Sequence, residues 1–239
     1  MTEATLVVDV SSVTKQYGAL RPLRIDRLQL SAGEQVAIIG LDQPAAEVFI
    51  SLMTGAGLPD TGTVAVFGRE TATISDSSEW FSTLDRFGIV SDRSAILEAL
   101  TVVQNLAVPF SLDIEPPSDE IRSKAVALAR EAGVAEATWD RPCHDLDAAN
   151  RLRLRLARAF ALEPSLLLLE HPSATLARAD VSSFARAVRA LAERRGAAAI
   201  TLTMDRDFAS AAAARILTLD PATGRLTEKR FGRIGLWSR

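Results

Sequence analysis

The sequence predicts an α/β domain built on a mainly parallel β-sheet, with an antiparallel β part near the N-terminus and a helical insert near the middle. In the second half of the chain, short apolar runs of strand length alternate with longer helical patterns, as βαβ units require. Hydrophobic residues make up 48% and charged residues 24% of the 239 residues, which are ordinary values for a globular protein. A chain of this length can bury a sizeable core as one domain or as two closely joined lobes.

Eight short apolar runs are predicted to be strands. The antiparallel part and the first strands of the core come from the first four runs, which are Leu6 to Val10, Ile25 to Leu30, Gln35 to Ile39 and Thr63 to Phe67. The parallel strands come from the later four runs, which are Gly88 to Val90, Ser165 to Leu169, Ala197 to Leu202 and Arg215 to Leu219.

A helical insert is predicted between the early and the late strands. Its clearest helix spans Ser118 to Ala132, because Ser118 is a suitable N-cap and Gly133 is suited to end the helix. We therefore predict a single domain over residues 1–239, made of a core lobe and a helical subdomain. The core lobe would comprise residues 1–91 and 146–239, and the helical subdomain residues 92–145.

The loop after the strand at 35–39 has the position of a phosphate-binding loop but a different composition. A P-loop needs glycines whose N–H groups surround a phosphate, a lysine that neutralises it, and a Ser or Thr hydroxyl for Mg²⁺. Here only Gly40 is retained, Ala46 stands at the lysine place, and Glu47 stands at the hydroxyl place. Asp42 adds a further carboxylate. Taken alone, the segment would be an ordinary connection between a strand and a helix.

A second stretch, from Leu146 to Leu176, supplies the context. An Asp-Ala-Ala-Asn run opens an arginine-rich helical pattern, Ala-Arg-Ala-Phe-Ala-Leu-Glu-Pro follows, and an apolar strand then ends in Glu-His-Pro-Ser. In this order and spacing the chain resembles the ATPase subunits of ABC transporters, from about residue 5 to 228. Three scaffold segments also match the family, and they are residues 13–18, 57–64 and 100–106. The resemblance implies a RecA-like P-loop NTPase core with an antiparallel β subdomain and an inserted α-helical subdomain.

The resemblance also assigns family roles to individual positions. Tyr17 would stack on adenine, and the degenerate nucleotide site would comprise Tyr17, Gly40, Asp42, Ala46 and Glu47. The chain has only two histidines, His144 and His171, so no histidine stands at the switch place. Six motifs of the family are altered. In the Q-loop Asp92 replaces the glutamine, and in the signature Asp147, Ala148 and Ala149 replace the serine and the two glycines. Glu170 stands at the Walker B aspartate, His171 at the general-base glutamate, Ala177 at the D-loop aspartate and Met204 at the switch histidine.

These departures predict a pseudo-ATPase, a catalytically impaired subunit with a structural or regulatory role. A carboxylate about 4 Å from a phosphate charge costs about 4 kcal/mol at an effective dielectric near 20. No cofactor is therefore expected, although weak binding of ATP and Mg²⁺ through Tyr17 is a possible exception. In the family's head-to-tail dimer, Asp147 would direct a negative charge at the partner's nucleotide, so neither composite site would be complete.

Several alternatives remain open at this stage. Glu170 could ligand Mg²⁺ and His171 could accept a proton, which would give an active ATPase with non-standard residues. A regulatory module that binds a nucleotide weakly is a further interpretation. No metal site is assigned, although a cluster of five residues could hold a divalent cation, and its members are Asp42, Glu47, Asp92, Glu170 and His171.

The acids of the loop have a physical interpretation of their own. A helix N-terminus leaves N–H groups unpaired and carries partial positive charge, which a bound phosphate would normally satisfy. We expect Asp42 and Glu47 to act as built-in anions that cap the helix starting near Pro44.

The resemblance implies a membrane permease as partner, bound through the helical subdomain and the Q-loop region, and a homodimer or a heterodimer with another ABC ATPase subunit. The net charge of −3 gives no nucleic-acid footprint. Arg151, Arg155 and Arg158 share a helix face, which we expect to pair with acids. A group of apolar residues is expected to pack mostly in the core, with some of them forming part of a permease groove. Its members are Ile96, Leu97, Leu100, Val102, Val103, Leu106, Val108 and Phe110.

We expect a cytoplasmic protein that lies on the inner face of the membrane through its partners. The sequence has one cysteine, Cys143, no signal peptide is apparent, and its apolar runs are far shorter than a membrane span. The C-terminus is basic and apolar, and either folds on the core or contacts a subunit or membrane surface. Its residues of interest are Arg230, Phe231, Arg233, Ile234, Leu236, Trp237 and Arg239.

Overall fold

In a computed structural model, which describes residues 5–228, the chain folds around two β-sheets. The smaller sheet is antiparallel, in the order β2-β1-β4-β5, and its strands are β1 (Leu6–Lys15), β2 (Leu23–Ser31), β4 (Thr61–Val66) and β5 (Arg69–Glu70). The larger sheet has the order β10-β9-β3-β8-β7-β6, and its strands are β3 (Gln35–Ile39), β6 (Phe87–Val90), β7 (Leu166–Glu170), β8 (Ala198–Leu202), β9 (Arg215–Leu219) and β10 (Leu226–Glu228). All neighbours in it are parallel except β9 and β10.

Helices connect these strands. Within residues 5–228 they are α1 (Gln43–Met53), α2 (Ser77–Leu84), α3 (Val102–Ala107), α4 (Asp119–Glu131), α5 (Ala148–Ala159), α6 (Arg178–Arg195) and α7 (Arg206–Ala212), with short 3₁₀ turns at 71–73, 136–138 and 143–145. The predicted α/β class, with an antiparallel part and a helical segment between β6 and β7, is confirmed.

The strand predictions hold in position and differ in length. β1 continues to Lys15, five residues beyond the predicted end, because Val13 is buried and the strand passes a bulge at Ser12, whose φ is +51°. The short edge strands β5 and β10 were not predicted. Each has three residues or fewer, which is too short for an alternating pattern to reveal.

β7 separates two hydrophobic cores. Leu167 and Leu169 pack with the helices α3 to α6, whereas Leu166 and Leu168 pack with α1 and the antiparallel sheet. All four leucines are fully buried, as a central parallel strand requires. The strand therefore presents its carboxyl end, Glu170, at the edge where both cores meet.

The helical segment between β6 and β7 begins and ends as its composition indicates. Ser118 is the N-cap of α4, accepting a hydrogen bond from the Ile121 amide at 3.4 Å, and Gly133 follows the helix with φ +72°. Buried residues of α3 and α4 share one core with those of α5 and α6. The division into a core lobe and a 92–145 subdomain stays a prediction.

Most of the apolar residues considered for a permease groove are core. Val102, Val103 and Leu106 are buried, whereas Leu97 is exposed. Nearby, Cys143 is buried against the Asn105 amide, and burial, followed by the charge of Glu98, raises the pKa of its thiol to about 11. This cysteine therefore stays protonated at neutral pH.

Among residues 5–228, no helix combines the length and the apolar character needed to cross a bilayer. The basic, apolar C-terminal residues considered above lie outside the described residues, and that prediction is untested.

The crossing of β4 over the bulge in β1 gives a test of the fold. Gly62 has φ +81°, and a Cβ there would collide with the Ser12 carbonyl group, whereas Gly68 has φ +82° with open space around it. We expect Gly68→Ala to cost about 1 kcal/mol of unfolding free energy, from backbone conformation alone. Gly62→Ala should cost about 2–5 kcal/mol, because strain adds to a clash with backbone. Urea unfolding measures both, and equal losses would contradict the described crossing.

Candidate functional site

The loop between β3 and α1 is built around a glycine and an aspartate. Gly40 has φ +111°, and a Cβ there would lie 2.8 Å from the Leu219 carbonyl oxygen, so only glycine fits. Asp42 is the N-cap of α1, and its Oδ1 accepts the Ala45 amide at 2.9 Å. Its carbonyl oxygen accepts the Ala46 amide at 2.9 Å. Asp42 thus satisfies two amides at this helix start, and its predicted capping role is confirmed.

Glu47 does not cap the helix, and that part of the prediction is wrong. The residue lies in the second turn of α1, where its carboxylate no longer reaches the free N–H groups. It accepts a hydrogen bond from Gln43 Nε2 at 3.3 Å and lies 3.6 Å from an Arg93 nitrogen. Ala46, at the lysine place, is fully buried and offers no polar group.

A four-residue network occupies the space between α1 and the end of β7. Glu170 is its centre, with a side chain only 1% exposed. Its Oε1 accepts a hydrogen bond from Gln43 Nε2, and its Oε2 accepts one from Arg93 Nη2 at 2.9 Å. We call Gln43, Glu47, Arg93 and Glu170 the edge network. A guanidinium and an amide therefore compensate the buried carboxylate at the Walker B place.

Asp92 precedes Arg93 in the chain, but its side chain contacts α5 and not the edge network. Its Oδ1 accepts Arg155 Nη1 at 2.7 Å, and its backbone oxygen accepts Arg155 Nη2 at 3.2 Å. The Arg155 side chain is only 12% exposed. The residue at the Q-loop glutamine place is therefore fastened to α5, and it makes no contact of this kind with Glu170.

The arginine face of α5 pairs as expected, with one addition. Arg151 forms an ion pair with Glu98, and Arg155 with Asp92, so acids are indeed partners. Arg158 instead donates to the Ala95 carbonyl oxygen, and Arg155 Nε donates to the Ser94 carbonyl at 3.4 Å. The face is thus not merely solvated, because it holds the backbone of the segment after β6.

His171 follows β7 in an unusual backbone conformation. Its φ is +42°, its amide donates to the Leu202 carbonyl at 2.8 Å, and its buried Nε2 has no hydrogen-bond partner among the described residues. Together with the exposed Met204 it lines an open depression of about 570 Å³ beside Arg178 and Asp205. The general-base and switch places are adjacent, but the thioether of Met204 cannot exchange a proton.

Tyr17 lines a cavity of about 230 Å³ together with Gly40, Asp42 and Met204. Burial, followed by the negative charge of Asp42, raises the pKa of the Tyr17 hydroxyl. The preceding turn is held by Asp60, which accepts the Gln16 amide at 2.6 Å and Lys15 Nζ at 2.8 Å. These bonds, the Gln16 amide first, lower the pKa of the Asp60 carboxyl. The loop thus places one aromatic ring beside a carboxylate.

The signature place folds onto its own helix. Asp147 is the N-cap of α5, and its Oδ1 accepts the Asn150 amide at 2.7 Å. Both carboxylate oxygens also accept Asn150 Nδ2 at 3.1 Å. Ala148 and Ala149 form the first turn. Asp147 remains exposed, and its direction relative to a partner's nucleotide stays a prediction.

The five-residue metal cluster considered from the sequence is not formed. Asp42 caps α1, Asp92 faces Arg155, and the Arg93 side chain stands between Glu47 and Glu170. Within residues 5–228, no group of three or more His, Cys, Asp or Glu side chains is arranged to hold a metal ion.

Sequence reasoning missed Gln43 and Arg93. Both reach Glu170 across long separations, 127 and 77 residues along the chain, which local patterns do not reveal. One signal was present, because an acid that ends an all-apolar strand needs a buried cationic or amide partner.

A family model for the ABC transporter matches residues 23–174, more than half of the chain. The methionine import ATP-binding protein MetN of Brucella abortus (strain 2308) is 25% identical over 214 residues, which are 90% of this chain and 57% of MetN. The sulfate/thiosulfate import ATP-binding protein CysA of Bordetella parapertussis is 28% identical over 239 residues, which are 97% of this chain and 64% of CysA. The chain thus spans less than two thirds of the length of these relatives.

Solved structures agree at the level of the fold. The ATP-binding cassette MJ0796, in a dimer bound to ADP and Pi, has a TM-score of 0.76 at 22% identity and covers 93% of this chain and 99% of its own. CbiO1 from Clostridium perfringens has a TM-score of 0.78 at 20% identity, covering 93% and 87%. Because the family model matches more than half of the chain, and these solved structures share its fold, this chain belongs to the ABC transporter family.

Proposed function

We propose that the chain is a catalytically impaired ATPase-like subunit, a pseudo-ATPase, that acts as a structural or regulatory partner of a membrane permease or of an active ABC subunit. The observation that carries the proposal is the start of α1. There the Asp42 carboxylate accepts the Ala45 amide at 2.9 Å, where a phosphate would otherwise meet the free N–H groups.

Charge supports the same conclusion. A nucleotide phosphate at this loop would meet the Asp42 carboxylate, which has no ion-pair partner among the described residues, and Ala46 would supply no compensating cation. The charge of Glu47 is partly offset by Arg93 at 3.6 Å. One such repulsion, at about 4 Å and an effective dielectric near 20, costs about 4 kcal/mol. That corresponds to about a thousandfold loss of affinity.

The other positions that depart from the family pattern also argue against ATP hydrolysis. Glu170 already has a partner at each oxygen, Asp147 is bound to Asn150, and Met204 cannot accept a proton. In a head-to-tail dimer, neither the P-loop half nor the signature half would then complete an ATP site. We therefore propose that no nucleotide is needed for the fold.

The location and partners follow from the relatives. MetN and CysA are named as ATP-binding proteins of import systems. We propose that this chain likewise lies at the cytoplasmic face of a membrane, held there by a permease that docks on residues 92–145. The same segment is proposed to act as the helical subdomain. A dimer is expected, either with itself or with another ABC ATPase subunit.

A second candidate is a regulatory module that binds a nucleotide weakly. It is favoured by the cavity of about 230 Å³ at Tyr17, which is large enough for a base beside the aromatic ring. Asp42 lines this cavity and would repel phosphates more than the base itself. Binding of this kind would depend on Tyr17 and would not lead to hydrolysis.

Calorimetric titration of MgATP into the wild-type chain tests the proposed function. We expect no heat of binding below millimolar ATP, because the loop is charged against phosphate. Tyr17→Ala serves as the control that separates the candidates. Weak binding that is lost in Tyr17→Ala would favour the regulatory module, whereas micromolar binding would contradict both interpretations of the phosphate loop.

Substitutions at the loop test whether Asp42 replaces the phosphate as helix cap. Asp42→Ala should lower the unfolding free energy by about 1 kcal/mol, because the Ala45 amide loses its acceptor. Asp42→Asn should change stability much less, since asparagine also caps well, and should raise ATP affinity by removing a charge. The measurements are urea unfolding and calorimetry. If Asp42→Ala unfolded at the same urea concentration as the wild type, the capping role would be refuted.

A further inference from the structure

We infer that Arg93 is a resident cation that fastens the segment after β6 to the carboxyl edge of the sheet, so that this segment keeps one conformation with no bound ligand. The inference concerns residues 91–98 and goes beyond the proposed function. It does not depend on whether the chain binds or hydrolyses ATP.

The first step is the burial of Glu170. Only 1% of its side chain is exposed. A buried carboxylate is tolerated when it is paired and hydrogen-bonded, and its loss of one partner is strongly destabilising. Arg93 supplies the charge, with Nη2 to Oε2 at 2.9 Å, while the Gln43 amide satisfies the second oxygen without charge. Arg93 is therefore the only cation in contact with Glu170 among the residues that the structure describes.

The second step is the position of the guanidinium between two elements. Nη2 reaches Glu170 at the end of β7, and Nη1 lies 3.6 Å from Glu47 on α1. Gln43, also on α1, donates to both carboxylates. The Arg93 side chain thus links the segment after β6 both to α1 and to the end of β7.

The third step is the other side of the same segment. Arg151, Arg155 and Arg158 of α5 hold Glu98, Asp92 and the Ala95 carbonyl. The fully buried Asn105 adds a clamp, because its Oδ1 accepts the Leu97 amide at 2.9 Å and its Nδ2 donates to the Leu97 carbonyl at 3.0 Å. Residues 91–98 are fastened to α5 and α3 on this side.

Arg93 alone among these contacts ties the segment to α1 and β7. Asp92 and Arg93 are neighbours, yet their side chains bind opposite elements, α5 and the edge network. Without Arg93 the segment would stay on α5 but lose its side-chain link to the end of β7 and to α1, and the Glu170 carboxylate would keep only the Gln43 amide. Arg93 therefore acts as a positioning residue for residues 91–98.

Three variants form a double-mutant cycle, Arg93→Met, Glu170→Gln and the two combined. Arg93→Met should lower Tm by about 5–10 °C, because it leaves a buried carboxylate without a cation. In the Glu170→Gln background the same substitution should lower Tm much less, since no buried charge remains. Arg178→Met is the matched control, because Arg178 also meets two carboxylates with a guanidinium that is largely exposed, as it is in Arg93. Its partners Asp205 and Asp207 are 19% and 61% exposed, against 1% for Glu170. It should change Tm by about 2 °C or less.

Hydrogen exchange tests the fastening directly. The amides of Ser94 and Leu97 are hydrogen-bonded, at 3.0 Å to Ser91 and at 2.9 Å to Asn105. In Arg93→Met, exchange of the Ser94 amide should rise at least about tenfold more than that of the β7 amides, which report only the loss of global stability. The Leu97 amide, still held by Asn105, should follow the β7 amides. Arg178→Met should leave the segment unchanged.

Two results would overturn the inference. One is an Arg93→Met protein whose Tm and segment exchange match the wild type. The other is a loss of Tm from Arg93→Met that is equal in the wild-type and Glu170→Gln backgrounds, which would mean that Arg93 acts through packing and not charge. Neither result bears on MgATP binding by the wild type, so failure here and failure of the proposed function are separate observations.

Discussion

The carboxyl edge of the parallel sheet is the place on which the rest of the site depends. Two kinds of polar group meet there, the free N–H groups at the start of α1 and the buried carboxylate of Glu170 at the end of β7. Neither can be left unsatisfied away from water, because an unpaired buried polar group costs kilocalories of stability. In this chain the Ala45 and Ala46 amides are satisfied by Asp42, and the carboxylate by Gln43 and Arg93.

That internal satisfaction links the fold to the proposed function. A loop that relies on a bound anion and a bound cation would be less stable when empty, since ligand binding adds to the stability of the folded state. Here the Asp42 carboxylate accepts an amide at the start of α1, and the Arg93 guanidinium stands beside the Glu170 carboxylate. Under the proposed function, the chain would keep the ABC-type core as a docking body without a bound ligand. Under the proposed function this independence comes with a loss of nucleotide affinity, because the Asp42 carboxylate would repel phosphate.

Much of the fold follows from local patterns. The Leu166 to Leu169 run predicts a strand buried on both faces, and Ser118 with Gly133 predicts the ends of α4. The cap at Asp42 is also predictable, because its side chain needs only to reach three residues ahead. These features depend on neighbours in the sequence, so periodicity and capping preferences are enough to find them.

The rest depends on contacts between distant segments. The direction of Glu47 could not be predicted, because it is set by Gln43 and Arg93 and not by the helix start. The α5 arginines were expected to face acids, but the hold of Arg158 on the Ala95 carbonyl requires the path of the segment after β6.

A phosphate-release assay of the purified chain at millimolar MgATP tests the central claim most directly, with Glu170→Gln as the comparison. The account predicts the same background rate for both proteins, because the wild-type site lacks the groups for phosphate binding and proton transfer. Turnover by the wild type that disappears in Glu170→Gln and in His171→Ala would contradict it and would establish an ATPase with non-standard residues.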